Sequence, residues 1–233
     1  TAILIMLALT GTAIYLLSLP QTPSIIAGVI CGICVVVMLP GFMIIQPNNS
    51  RVLTFFGRYA GTVISNGFYW VNPLFLKSTV TLRILNLNID PIKVNDKVGN
   101  PIMIGAVVVW RIKDTYKASF DISGNIREFV QIQSDAALRQ VAGMYAYDTN
   151  ETIDKVTLRS DDSGEITQRL EDELNSRLAI AGIEIVEARI NYLAYASEIA
   201  SVMLRRQQAD AIISARERIV EGAVSMVHLA LES

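Results

Sequence analysis

No Asp, Glu, Lys, Arg or His precedes Arg51 in this chain of 233 residues. A soluble surface needs charge, so the segment before Arg51 is set apart from everything after it. Histidine is almost absent: the one copy is His228. Cysteine is scarce too, with two residues, Cys31 and Cys34, both inside the uncharged segment. This excludes a disulfide framework for the rest of the chain and leaves no Cys/His cluster for zinc. The sequence holds no HExxH, no Walker A loop and no Gly-x-Ser-x-Gly. The net charge of −2 gives no drive toward nucleic acid. With no nucleophile, base or metal set in a plausible context, the chain is not expected to be an enzyme, and no cofactor or metal is expected. Its length suits one sizeable domain with appendages, or two small ones.

The uncharged segment holds two apolar runs, one bounded by Ile3 and Leu19 and the other by Ile25 and Ile45. A helix that crosses a bilayer needs ~20 mostly apolar residues. The second run meets that length. The first is slightly short, and because the chain opens on Thr1, residues before it are expected to extend it. A secretory signal would not be followed so closely by a second apolar run. Between the runs lies Pro20-Gln21-Thr22-Pro23, where proline stops helices. Residues 1–46 are therefore predicted to form a transmembrane helical hairpin with both ends on one side of the lipid bilayer. Thr10, Gly11, Thr12 and Ala13 on one run, and Ala27, Gly28 and Gly32 on the other, offer small surfaces for close contact, or simply reflect membrane-helix composition. Cys31-Gly32-Ile33-Cys34 reads as two small apolar side chains on a helix rather than a redox pair. Arg51 and Arg58 follow the second run, which favours a cytoplasmic soluble domain on the inner membrane of the cell.

Residues 47–195 read as one α+β domain. Strands are expected from 42 to 113, including a long one over 78–94. The turn-rich stretch 95–100 then leads to a second strand in which Ile102, Ile104, Ala106, Val108, Trp110 and Ile112 share one face. A helix is predicted over 125–145, with Phe129, Ile132, Ala136, Val141 and Tyr145 near one stripe. A second follows over 163–181, with Ile166, Leu170, Leu174 and Leu178 one turn apart and Gly182 placed to end it. Asp161 and Asp162 suit its N-terminus, and Ser163 is a candidate cap. The run Glu171-Asp172-Glu173 reads as a solvated helix face rather than a metal site. A strand over 183–193 is expected to rejoin the sheet.

Residues 196–233 form one long helix in this reading, a coiled-coil arm. Val202, Ala209, Ile213, Val220, Val224, Val227 and Leu231 recur at three- and four-residue steps, interrupted by Arg206 and Arg216. So long a stripe exceeds what one small domain covers, and copies of the same chain are its simplest partners. The alternative is a solitary exposed helix held by charge pairs. Arg139 has two readings as well: an intrahelical pair with Asp135, or a contact with a neighbouring subunit.

Past the apolar runs come Pro47-Asn48-Asn49-Ser50-Arg51-Val52-Leu53, Gly57-Arg58, and Gly67-Phe68-Tyr69-Trp70-Val71-Asn72-Pro73. Further on are the hairpin segment 94–113, Ala136-Ala137-Leu138-Arg139-Gln140-Val141-Ala142-Gly143, and Arg206-Gln207-Gln208-Ala209-Asp210-Ala211. Taken in order, these stretches resemble the stomatin–prohibitin–flotillin–HflK/C (SPFH) superfamily, and among its branches a bacterial stomatin-like member. The resemblance covers about 40–231, and two apolar runs and a short arm depart from many relatives. It implies a membrane-anchored scaffold that homo-oligomerises into a large ring or cage, organises a membrane microdomain and regulates partners such as a membrane protease. The rival readings are a subunit that lines or gates a channel and an unrecognised serine hydrolase. The first has only Thr10, Thr12, Ser18 and Ser24 as polar groups at membrane depth, and nothing locates the second.

Overall fold

The computed structural model describes residues 2–19, 22–148, 156–159 and 164–232. They fall into two compact units: 1–84 with 111–123 and 181–183, and 85–110 with 124–180 and 184–233.

The first unit opens with two helices, α1 (Ala2–Ser18) and α2 (Thr22–Met38). They lie side by side and antiparallel. Cys31 Sγ sits 3.6 Å from the Leu9 carbonyl and 3.7 Å from Thr12 Oγ1, whereas Gly28 faces Ala13 and Leu17. A Cβ at Gly28 would lie 2.9 Å from Leu17 Cγ, so this glycine permits the close approach. The two apolar runs therefore lie as an antiparallel pair of helices. Of its turn, Pro20 and Gln21 lie outside the described residues.

Two expectations overlap at residues 42–45: the strands expected from 42 hold, and the end of the second apolar run is corrected. The second apolar run does not continue as a helix to Ile45. A single 3₁₀ turn, Leu39–Gly41, follows α2, and β1 (Phe42–Ile45) begins at once. Pro40 lacks the amide proton that would continue the helix ladder, and Gly41 is a poor helix former. Ile45 is 3 % exposed, packed with Met43 and Leu53 in the core of the β-rich part.

β1 pairs antiparallel with β4 (Gly67–Trp70), and β2 (Asn49–Phe55) lies between β3 (Arg58–Val63) and β5 (Leu76–Thr81). The strand expected over 78–94 is two strands: β5 ends at Thr81 and β6 (Leu85–Asn95) starts a different sheet. A short helix, α3 (Thr115–Phe120), was not anticipated, since six residues carry too little periodicity. Asp114 caps it, accepting from the amides of Tyr116 and Lys117.

The second unit is built on the sheet β6-β7-β8, with β7 (Pro101–Ile112) central and β8 (Ile183–Tyr195) at one edge. β6 and β7 form the expected antiparallel hairpin, and Ile102, Ile104, Ala106, Val108, Trp110 and Ile112 are all buried. The tip is fastened by Asp96, which is buried and accepts from the amides of Val98, Asn100 and Tyr147.

Helix α4 (Ile126–Ala142) buries Val130, Ser134, Ala137, Leu138, Val141 and Ala142, and of the predicted stripe only Val141 is among them. Ile132 is exposed, and Phe129 and Ala136 are only half-buried. Ser134 sits in the middle of the true buried face and hid it from an apolar count. Helix α5 (Glu165–Leu178) buries Ile166, Leu170, Leu174 and Leu178 as expected, and Gly182 stands past its end at φ +66°. Gly164 holds the N-cap position; Asp161, Asp162 and Ser163 lie outside the described residues. The last element is α6 (Ser197–Glu232).

Candidate membrane anchor and assembly surfaces

Among the described residues one helix is long and apolar enough to cross a membrane: the 20 residues Thr22–Gly41, with a mean hydropathy of 2.4. α1 is apolar but shorter, and its 17 residues rise roughly 25 Å against a hydrocarbon core of about 30 Å. Ile3 on α1, Leu19 just past its end and Ile25 on α2 have exposed side chains, whereas Ile45 is withdrawn into the β-rich core.

A helix end leaves its last carbonyls without intrahelical partners. Here they are met by side chains and backbone from the β-rich part. Trp70 Nε1 donates to the Met38 carbonyl at 3.2 Å, the Val71 amide to the Gly41 carbonyl at 2.9 Å, and Lys77 Nζ to the Pro40 carbonyl. Burial, with Arg51 nearby, pushes the Lys77 amine below its ordinary range. A Cβ at Gly41 would lie 2.5 Å from Trp70 Nε1, so only glycine lets the indole close over the helix end. Neither Trp70 nor Lys77 was singled out from sequence. The signal available was the Pro40-Gly41 stop, which leaves carbonyls in need of donors.

At the other end of the chain, α6 is rooted on the second unit. The Ala196 amide donates to the Pro101 carbonyl, Lys93 pairs with Glu198, and Gln207 Nε2 donates to Asp148 Oδ2 at 3.3 Å. The rings of Tyr147 and Tyr195 lie 4.0 Å apart. Burial, with Asp148 close by, raises the Tyr195 hydroxyl to about 12. Met203, Gln207 and Asp210 are half-buried at helical spacing. From Ala211 to Leu229 every side chain is exposed. The predicted seam residues Val202, Ala209, Ile213, Val220 and Val224 are all exposed, with Ile213 at 54 % and Val224 at 63 %; the Leu231 side chain lies outside the described residues. They share one helix but touch nothing large enough to cover them.

Arg139 is exposed and donates to the Lys93 carbonyl at 3.4 Å. Burial raises the Asp135 carboxyl, opposed by Arg139 and reinforced by Asp90. The Glu171-Asp172-Glu173 run is not an idle face. Glu171 accepts the Ala188 amide of β8 at 3.1 Å, and Glu173 pairs with Arg177 at 2.6 Å. His228 is exposed on α6. Among the described residues no group of three His, Cys, Asp or Glu is placed to hold a metal ion.

A family model described as SPFH domain / Band 7 family matches residues 43–223, which is most of the chain. The match opens in β1, just past the two apolar helices, and ends within α6. A comparison with curated proteins gives no match.

Proposed function

The chain belongs to the SPFH domain / Band 7 family, a family of membrane-associated scaffolds, and we propose that it is a hairpin-anchored subunit of a homo-oligomeric ring or cage. The observation that carries this reading is the arm. From Ala211 onward α6 leaves its own domain and keeps Ile213, Val220 and Val224 bare. Identical copies standing side by side in one membrane supply the missing cover. Such head-to-tail contacts close into a ring when the rotation per subunit permits, and a shared bilayer forbids the axial climb of a filament. Many weak arm contacts then add up, so no single pair needs to be strong. The α1–α2 hairpin anchors each subunit, and Arg51 with Arg58 favours a cytoplasmic domain. A ring of this kind fences a patch of membrane, and its walls admit or exclude partners such as a membrane protease. Its role is structural rather than enzymatic.

Light scattering of the full chain in mild detergent tests this reading. The wild type is expected as a large particle, and Ala209→Asp with Ile213→Asp is expected to shrink it toward single subunits without unfolding the domain. A wild-type chain that is monomeric at micromolar concentration overturns it.

A further inference from the structure

The two sides of the apolar stripe on α6 carry opposite charge. Val202, Ile213 and Val224 recur every eleven residues, as do Ala209 and Val220. At ~100° per residue, eleven residues return within about 20° of the start, so the stripe runs almost along the helix axis. Arg205 and Arg216 border it on one side, ~60–80° round from Ile213. Glu217 and Glu221 border it on the other, ~40–80° round in the opposite sense. All four are exposed. Among the described residues, none of them forms an ion pair within the chain. Arg206 also falls on the acidic side, but its guanidinium reaches Asp210 at 3.7 Å. Arg218 stands farther round the helix, off the border.

We propose that these borders make α6 self-complementary: Arg216 of one copy faces Glu217 and Glu221 of the next, and this pairing sets neighbouring arms parallel. The inference rests on the homo-oligomer reading and adds what selects the neighbour. Charge complementarity names the occupant of the stripe as a second copy of this chain. Two parallel helices that meet along such stripes bring the basic border of one against the acidic border of the other. Antiparallel helices bring like against like, which is repelled. Charges that flank an apolar seam set partner choice and orientation in this way. At a rise of ~1.5 Å per residue, Glu217 and Glu221 stand roughly 1.5 and 7.5 Å along the axis from Arg216, so copies in register place these groups within side-chain reach. An arm with both borders of one sign would need a different chain as its neighbour. This arm carries both signs, so each copy offers one border to the copy before it and the other to the copy after it, and a ring closes from this chain alone.

Mixing of charge-reversed chains tests the proposal, in mild detergent at low ionic strength, where exposed charges are least screened. One variant, Arg205→Glu with Arg216→Glu, has two acidic borders. The other, Glu217→Lys with Glu221→Lys, has two basic ones. Each alone is expected to fall toward single subunits by light scattering while its circular dichroism stays that of the wild type. Produced together, they are expected to recover the wild-type particle mass with both chains in it, because every contact then joins unlike borders. Variants that keep the wild-type size alone overturn the proposal and leave the homo-oligomer reading standing. Variants that dissociate and do not recover together overturn it as well, since the loss then owes nothing to matched borders. The wild type gives a second reading that stands even where a variant misfolds: salt is expected to raise the concentration at which the particle dissociates, and a midpoint that ignores salt overturns the pairing. A monomeric wild type overturns the oligomer and the pairing together.

Discussion

Helices α5 and α6 have similar apolar rhythms and opposite fates. In α5, Ile166, Leu170, Leu174 and Leu178 are each no more than 1 % exposed. In α6, Val220, Val224 and Val227 recur at steps of four and three and each is more than 60 % exposed. Periodicity states that a face needs cover; it does not name the cover. α5 finds its cover within the second unit, packing on α4 and fastening β8. α6 is held by its own domain only as far as Asp210, and from Ala211 to Leu229 its stripe is exposed in the single chain.

The sharpest way to break this contrast is a matched pair of truncations. Leu174→Ala removes a fully buried side chain and is expected to cost about 2–5 kcal/mol, because the cavity adds to the lost transfer energy. Val220→Ala, made in the dissociated Ala209→Asp, Ile213→Asp background, is expected to stay within about 0.5 kcal/mol of its parent. Denaturant titration followed by circular dichroism measures both. Equal costs would mean that α6 is covered within its own chain after all.

A smaller effect sharpens the α5 side. Glu171 reaches from α5 to the amide of Ala188, a fully buried residue of β8, and Asn175 does the same for Ile185 at 3.0 Å. Together they satisfy donors along a sheet edge that would otherwise be open to another strand. Glu171→Ala leaves the Ala188 amide without its acceptor, an expected cost of ~1–3 kcal/mol. Glu171→Gln keeps an acceptor and is expected to lose less. Amide exchange at Ala188 follows both variants, and an unchanged rate in Glu171→Ala would show that α5 covers β8 without fastening it.

What the sequence made legible follows the same divide. Elements whose partner lies within the chain and whose period is long were readable: the alternating face of β7, the four-residue rhythm of α5 and the hairpin of apolar helices. Elements that depend on a polar or short feature were not. The buried face of α4 turns on Ser134, which counts as polar yet is fully buried. α3 is six residues held by one cap. The end of the second apolar run was obscured because FMII is as apolar as the helix before it, and only Pro40-Gly41 marks the change to a strand. The anchor contacts of Trp70 and Lys77 join residues 32 and 37 positions apart, a separation no local pattern reports. The seam of α6 was read from its spacing alone, and its residues are exposed in the single chain.

The smallest expected effect concerns the root of α6, where the held part of the helix gives way to the free part. Glu198 is in the first turn of α6 and pairs with Lys93 of β6. The hydrogen bond from Lys93, then that from its own backbone amide, holds the Glu198 carboxyl below its ordinary value. A carboxyl depressed in the folded state adds stability that is present above the unfolded value, about 4.3 for glutamate, and is lost as pH falls through the folded one. The first turn is therefore expected to loosen below that range, read as faster amide exchange at Ile199 and Ala200 after correction for intrinsic rates. Glu198→Gln should remove this pH dependence, and salt should mimic acid, since both partners are exposed. The change should stop within that turn. The Tyr147–Tyr195 ring contact and the Gln207–Asp148 hydrogen bond hold the root on either side of Glu198, and neither uses its carboxylate. If Glu198→Gln instead frees the helix through Asp210, one exposed ion pair has been doing the work assigned to the whole root. The line between a held and a free half of α6 would then have to move back to Ser197.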